Sequence, residues 1–201
     1  MCVDDHSSDK TSDCILRFAK ENSRIVYTEN TRDIGQGYSV FSGIEKAKYN
    51  TIVIMDGDLQ VNPKDIKKLY QYMNKYKLDF ICSKRKTRQD RIITKHIPSI
   101  MGNTLIRVLF GIDFTDIGSS LKIVRKENVI KITPFKNVHR YIAILLHFQN
   151  LQYSELEIEH RERKEGESKY GFIKFMRVLF EILILLRETK KIKNKKKEEA
   201  N

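Results

Sequence analysis

Along the first eighty residues, the spacing of apolar positions switches between a helical and an extended period. In residues 11–22, Cys14, Ile15 and Phe18 recur at helical spacing behind Asp9 or Thr11 as a cap, which predicts a helix with an apolar face. Residues 24–28 form a short β-rich run. The polar stretch 29–37 ends in Gly35-Gln36-Gly37, and 38–48 reads as a helix with Val40, Phe41, Ile44 and Ala47 on one side. Residues 51–55 are a continuous apolar run with β-branched members, the pattern of a strand buried in a parallel sheet. The run stops at Asp56-Gly57-Asp58. Asn62-Pro63 then opens a helix through Tyr76, with Pro63 at a tolerated first-turn position, and 78–83 is another strand.

The second half is less regular. Residues 84–95 are a basic, polar loop and 97–110 a helix. Residues 116–124 contain Gly118-Ser119-Ser120 ahead of a further apolar run. A helix at 139–149, a last strand at 155–160 and a charged loop at 161–170 follow, and no segment repeats another. Helix and strand in alternation predict an α/β fold with an open, mostly parallel sheet. In such sheets ligands bind beyond the carboxyl ends of the strands. Asp4-Asp5, Asp56 with Asp58, and Lys84-Arg85 all fall at such ends.

Composition narrows the picture. With 201 residues, 40% of them hydrophobic, and only three prolines, the chain suits one domain with a real core rather than a disordered or collagen-like one. Cys2, Cys14 and Cys82 fit neither a zinc site nor a disulfide framework, which points to a reducing cytoplasm. The net charge of +12 is compatible with nucleic acid, an anionic membrane or a phosphorylated substrate, but much of the excess sits in 190–197. The start is acidic where a signal peptide would be basic and then apolar. No apolar run reaches the roughly 18–20 residues that span a bilayer. Residues 172–186 come nearest, interrupted by Lys174, Arg177 and Glu181. Residues 172–189 therefore read as an amphipathic helix for a membrane surface, or as one that caps the core or packs on a second subunit. Residues 190–201 read as a lysine-rich disordered tail.

Asp56 and Asp58 are the strongest chemical feature. Two carboxylates two residues apart, just past a strand, can share Mg2+ or Mn2+, with Gln60 as a further oxygen ligand. A solvated Asp-Gly turn is the competing reading. Taken alone, residues 84–88 are a solvated basic face, Ser168-Lys169 a turn, and His139 a structural residue of its helix. Gly35 and Gly37 serve a tight turn and close packing, and their spacing is not that of a dinucleotide loop.

Four segments in order carry a resemblance. Val3-Asp4-Asp5-His6-Ser7-Ser8-Asp9-Lys10-Thr11, Asp33-Ile34-Gly35-Gln36-Gly37 with Gly43 and Ala47, Ile54-Met55-Asp56-Gly57-Asp58-Leu59-Gln60, and the element from Arg161 to Tyr170 resemble the motifs of family 2 glycosyltransferases, in the branch acting on polyprenyl phosphates. The resemblance implies a Rossmann-like (GT-A) fold over residues 1–171 and hexose transfer from a nucleotide-diphosphate sugar to a polyprenyl phosphate. Asp5, with Asp4 and Gly35 beside it, would face the donor nucleoside. Asp56, Asp58 and Gln60 would hold the metal, Asp56 and Asp58 also taking the catalytic role and Asp56 the donor. Arg85, Lys95, Ser99, Arg163, Ser168 and Lys169 would grip the acceptor phosphate and donor diphosphate, since two phosphorylated reactants repel unless cations offset them. The acceptor is already anionic, so no general base is nominated.

Relatives of this branch carry a strand and a helix ahead of the VDD segment. The resemblance therefore implies a sheet lacking its usual first strand, an exposed apolar edge and a reduced donor pocket. His6 stands where the family has glycine, which implies strain in that turn. The expected setting is the cytoplasmic face of the membrane, with room for a homo-oligomer. Two other readings compete: a catalytically degenerate relative that binds nucleotide or a protein partner, and a nucleic-acid-binding module. The latter ranks last, because stacking aromatics are few beside the basic runs.

Overall fold

The structure, a computed structural model, describes residues 1–86, 97–159 and 171–200, without the side chains of 97–103, 171–178 and 199–200. In order the elements are β1 (Cys2–Asp4), α1 (Thr11–Glu21), β2 (Tyr27–Glu29), α2 (Gln36–Lys46), β3 (Thr51–Ile54), α3 (Lys64–Lys75) and β4 (Phe80–Arg85). Then come α4 (Ile97–Phe110), β5 (Lys122–Arg125), α5 (Lys126–Val129), α6 (Val138–His147), β6 (Tyr153–Ile158) and α7 (Gly171–Ala200). They form two compact units: Met1–Ile52 with Arg125–Ile142, and Val53–Val124 with Ala143–Asn201. The compact units thus cut the chain differently from the expected division at 171.

In the first unit, β1 and β2 pair in parallel, with Cys2 opposite Tyr27 and Asp4 opposite Glu29. Phe41 and Ile44 on α2 are buried, as the pattern predicts, and Val129, Ile132, Val138, Tyr141 and Ile142 join them in the core. The helix sits close to the sheet: a Cβ at Gly43 would come within 2.9 Å of Val3 Cγ2. Only glycine permits that approach. The expected apolar face of α1 is not covered. No residue of α1 is buried, and Phe18 is 48% exposed. The helix leans on a sheet of two short strands, too small to cover a helical face.

The four-stranded sheet has the strand order β3-β5-β4-β6. β6 runs parallel to β4, from Phe80 opposite Tyr153 to Arg85 opposite Ile158. β5 runs antiparallel to β4, so the sheet expected to be mostly parallel is mixed. Val61, Leu69, Met73, Ile81, Leu121, Ile123 and Ile158 form one core cluster. Each such burial contributes roughly 1.5–3 kcal/mol before entropy is counted. β3 is an edge strand, and of its residues only Ile54 is buried, which corrects the expectation of a strand buried on both faces. Its apolar run matches a central strand, but edge position is set by chain order in space.

The carboxyl-terminal segment also differs from expectation. α7 is one helix through Ala200, so residues 190–200 are helical rather than a disordered tail. Lysine, glutamate and alanine are good helix formers and no proline or glycine interrupts them. Glu188 and Lys191 pair at 2.6 Å across one turn. The Lys193 ammonium lies 4.8 Å from the Phe148 ring centre. Glu181, one of the charged residues that interrupt the apolar run, is 3% exposed, while Phe180 and Leu183 are 65% and 64% exposed. Among the described residues no helix is long and apolar enough to cross a membrane.

Candidate functional site

The turn after β1 carries the first cluster. Asp4 is 4% exposed. One carboxylate oxygen accepts from the Ser7 N–H at 3.2 Å and the Ser7 hydroxyl at 2.5 Å, the other from the Ser12 hydroxyl at 2.6 Å. Ser12 first, then Ser7, holds its pKa below the ordinary carboxylate value. Asp5 accepts from Asn30 Nδ2 at 2.8 Å, Ile34 N at 3.2 Å and Gly35 N at 2.9 Å. Burial opposes its ionisation most strongly as a single influence, yet these hydrogen bonds together outweigh it and its pKa is also lowered.

Gly35 precedes the first residue of α2 at φ +92°, a backbone open to glycine alone. A Cβ on Gly37 would clash with the carbonyl oxygens of Phe135 and Lys136, and its N–H donates to the Lys136 carbonyl at 2.9 Å. The two glycines therefore seat residues 135–136, as the tight-packing reading expects. The structure brings Asp5 and Gly35 together directly, with Asp4 adjacent. His6 stands at φ +63°, which agrees with the strain expected of a side chain at that turn position, and its Nδ1 lies 3.4 Å from Glu29 Oε1.

The second cluster follows β3. Asp56, Asp58 and Gln60 are half-buried at alternate positions of the turn, and Leu59 between them is 72% exposed at φ +63°. Asp58 Oδ1 accepts from the Gln60 N–H at 3.2 Å, an Asx turn that shapes the loop. A Cβ at Gly57 would meet nothing within 4 Å. Among the described residues no group of three or more His, Cys, Asp or Glu is arranged to hold a metal. Two carboxylates and an amide oxygen on an open turn still form a hard donor set. It fits Mg2+ or Mn2+, ions that keep part of their shell for phosphate and water.

β4 ends at Arg85. Its Nε and Nη2 each donate at 2.7 Å to one oxygen of Asp116, and its backbone N–H donates to the same carboxylate at 3.1 Å. The carboxylate raises the guanidinium pKa. Beneath lies a buried polar group: Lys122, 2% exposed, donates to the Ser119 carbonyl, and the Ser83 and Ser119 hydroxyls share a hydrogen bond. Burial pulls the Lys122 pKa down, against the charges of Asp56 and Asp116. Burial also pushes the Cys82 thiol up to about 12, which excludes thiolate chemistry there.

Lys95, Arg163, Ser168 and Lys169 lie outside the described residues, and Ser99 lies in α4 where side chains are not described. The sequence pattern passes over Asn30 and Ser39, which brace Asp5, and over Asp116, Glu155 and Lys122. Only Asp116 carries a signal, as the head of the Gly118-Ser119-Ser120 segment.

Residues 1–133 match the family model described as glycosyl transferase family 2. The dodecaprenyl-phosphate galacturonate synthase of Rhizobium johnstonii is 32% identical over 92% of this chain and 55% of its own length. The undecaprenyl-phosphate 4-deoxy-4-formamido-L-arabinose transferase of Shewanella sediminis is 29% identical over 90% of this chain and 54% of its own. The chain thus spans about half the length of these curated relatives. Among solved structures, glucosyl-3-phosphoglycerate synthase from Mycobacterium tuberculosis, crystallised with Mn2+, UDP and glucosyl-3-phosphoglycerate, superimposes with a TM-score of 0.66 at 12% identity. The match covers 93% of this chain and 67% of that one. At that identity the likeness establishes the fold, which is the GT-A fold expected above.

Proposed function

This chain belongs to glycosyl transferase family 2, and from that membership we propose that it transfers a sugar from a nucleotide-diphosphate donor to a polyprenyl phosphate. The observation that carries the reading is Asp56-Gly57-Asp58 on an open turn directly after β3, in a chain that aligns over nine-tenths of its length with polyprenyl-phosphate sugar transferases. In the first unit, Asp5 with Asp4 and Gly35 takes the donor nucleoside. In the second, Asp56, Asp58 and Gln60 hold Mg2+ or Mn2+. The bound cation supplies charge neutralisation for the departing nucleoside diphosphate. Arg85 grips the acceptor phosphate, joined by Lys95, Ser99, Arg163, Ser168 and Lys169. An acceptor that is already an anion needs orientation and desolvation more than deprotonation, so binding carries most of the catalysis.

A lipid acceptor requires the protein to meet a membrane. Phe180, Leu183 and Leu186 stand exposed on α7, and Arg187, Lys190, Lys191 and Lys193 follow on the same helix. Apolar side chains ahead of a basic run suit an interfacial helix on anionic lipid. This supports a peripheral position at the inner face of the membrane.

The test is calorimetric titration with UDP and GDP, with and without Mn2+, on the wild type and Asp58→Ala. The expected result is metal-dependent binding of one nucleotide, lost in the variant. A folded wild type that binds neither nucleotide would count against transfer and favour a degenerate relative.

A further inference from the structure

Arg85 is the last residue of β4, and its side chain is 43% exposed while its partner Asp116 is 9% exposed. Resting on the reading of Arg85 as the acceptor-phosphate residue, we infer that Asp116 is a positioning residue, which fixes the Arg85 guanidinium so that its remaining N–H donors meet a phosphate monoester in one orientation.

The geometry is a fork against a fork. Nε and Nη2 of Arg85 each donate at 2.7 Å to a different oxygen of Asp116, and the Arg85 backbone N–H donates at 3.1 Å. Such bidentate pairs set a plane as well as a distance. Asp116 is itself held. Glu155 on β6, in register with Cys82 on β4, accepts from the Thr115 N–H at 2.8 Å, the Thr115 hydroxyl at 2.9 Å and the Asp116 N–H at 3.2 Å. Strand register fixes Glu155, Glu155 fixes the 115–116 backbone, and Asp116 fixes Arg85. Among the described residues, Asp116 takes the N–H of Nε and one of Nη2, which leaves both N–H of Nη1 and one of Nη2 for a ligand.

An unrestrained arginine at a strand end loses rotamer freedom when it binds an anion. Here that loss is taken at folding, so binding gains by preorganisation. The paired charge also matters. Asp116 offsets part of the field of Arg85, and its bidentate hold presents the remaining N–H donors in a fixed direction. Among the described residues, the hydrogen bonds that the Asp116 carboxylate accepts are all from Arg85, so its positioning role runs through that residue.

The experiment titrates the full chain with farnesyl phosphate and, separately, with the nucleotide it binds in Mn2+. It uses wild type, Asp116→Asn, Arg85→Ala and the double variant. Melting curves of the same four proteins report the pair without any ligand. The expected result is a loss of farnesyl phosphate affinity in Asp116→Asn of roughly tenfold, nucleotide affinity unchanged, and no further loss when Asp116→Asn is added to Arg85→Ala. Asp116→Glu, which keeps the carboxylate, should recover part of the affinity. Affinity that rises in Asp116→Asn, as it would if Asp116 merely cancelled charge, overturns the inference. So does a parallel fall in nucleotide binding. A wild type that ignores farnesyl phosphate while the melting cycle stays coupled would sink the acceptor reading and leave the hold of Asp116 on Arg85 standing.

Discussion

Two turns in this protein share a chemistry and differ in what surrounds it. Each follows a short strand, carries two aspartates, and contains a non-glycine residue at φ +63°, His6 in one and Leu59 in the other. After β1, Asp4 is 4% exposed and receives three hydrogen bonds from Ser7 and Ser12, while Asp5 receives three from Asn30, Ile34 and Gly35. After β3, Asp56 and Asp58 are half-buried on a loop whose Leu59 is 72% exposed. Protein donors hold the carboxylates of the first turn in place, and the second turn lies on a loop with an exposed tip. The tripeptide alone does not separate the two settings.

The contrast is sharpest if the two aspartates are exchanged for alanine in turn. Asp58→Ala should abolish metal-dependent nucleotide binding with little change in melting temperature. The loss should exceed the roughly 10–100-fold typical of residues that only support a metal ligand. Asp4→Ala should instead cost about 2–3 kcal/mol of stability, because hydroxyl and N–H donors lose a charged acceptor. A melting temperature unchanged in Asp4→Ala would show that the hydrogen bonds to Asp4 do not hold the first turn.

Acid should separate the two regions next. Asp4 and Asp5 both have folded pKa values below the unfolded value of about 3.9. Their stabilisation is complete above that value and is lost as pH falls through the lower folded values. Amide exchange should therefore open β1, α1 and the start of α2 at a higher pH than the β4–β6 ladder. Simultaneous opening would show that these two carboxylates do not set the acid response.

The smallest effect concerns backbone strain. His6→Gly and Leu59→Gly each relieve a left-handed residue, a gain of up to about 1 kcal/mol that the greater chain entropy of glycine partly offsets. Urea midpoints should rise slightly in both. A fall in either would mean that the side chain contributes more there than the strain costs.

The helices were the most legible part of the chain. The expected helix at 97–110 coincides with α4, and those at 11–22 and 38–48 lie within two residues of α1 and α2. Helices show in apolar periodicity among neighbouring residues, which the sequence displays. Asp5 and Gly35 were legible through their motifs, and the structure joins them by a 2.9 Å hydrogen bond. The pairing of Arg85 with Asp116 was not legible, because Asp116 lies in none of the four motif segments and the two meet only once β4 and the 115–116 turn are in place. The outward position of Phe180 and the inward one of Glu181 likewise depend on which neighbours α7 packs against.

By itself, then, the sequence determined the order of helices and strands, the family, and the two aspartate-bearing turns, because each is carried by local periodicity or by a short motif. Tertiary structure alone decided that β3 lies at a sheet edge, that β5 runs against β4, that Asp4 is enclosed, and that Arg85 is held by a carboxylate. Those outcomes depend on which distant segments share space, and burial and hydrogen-bond partners exist only after that choice is made.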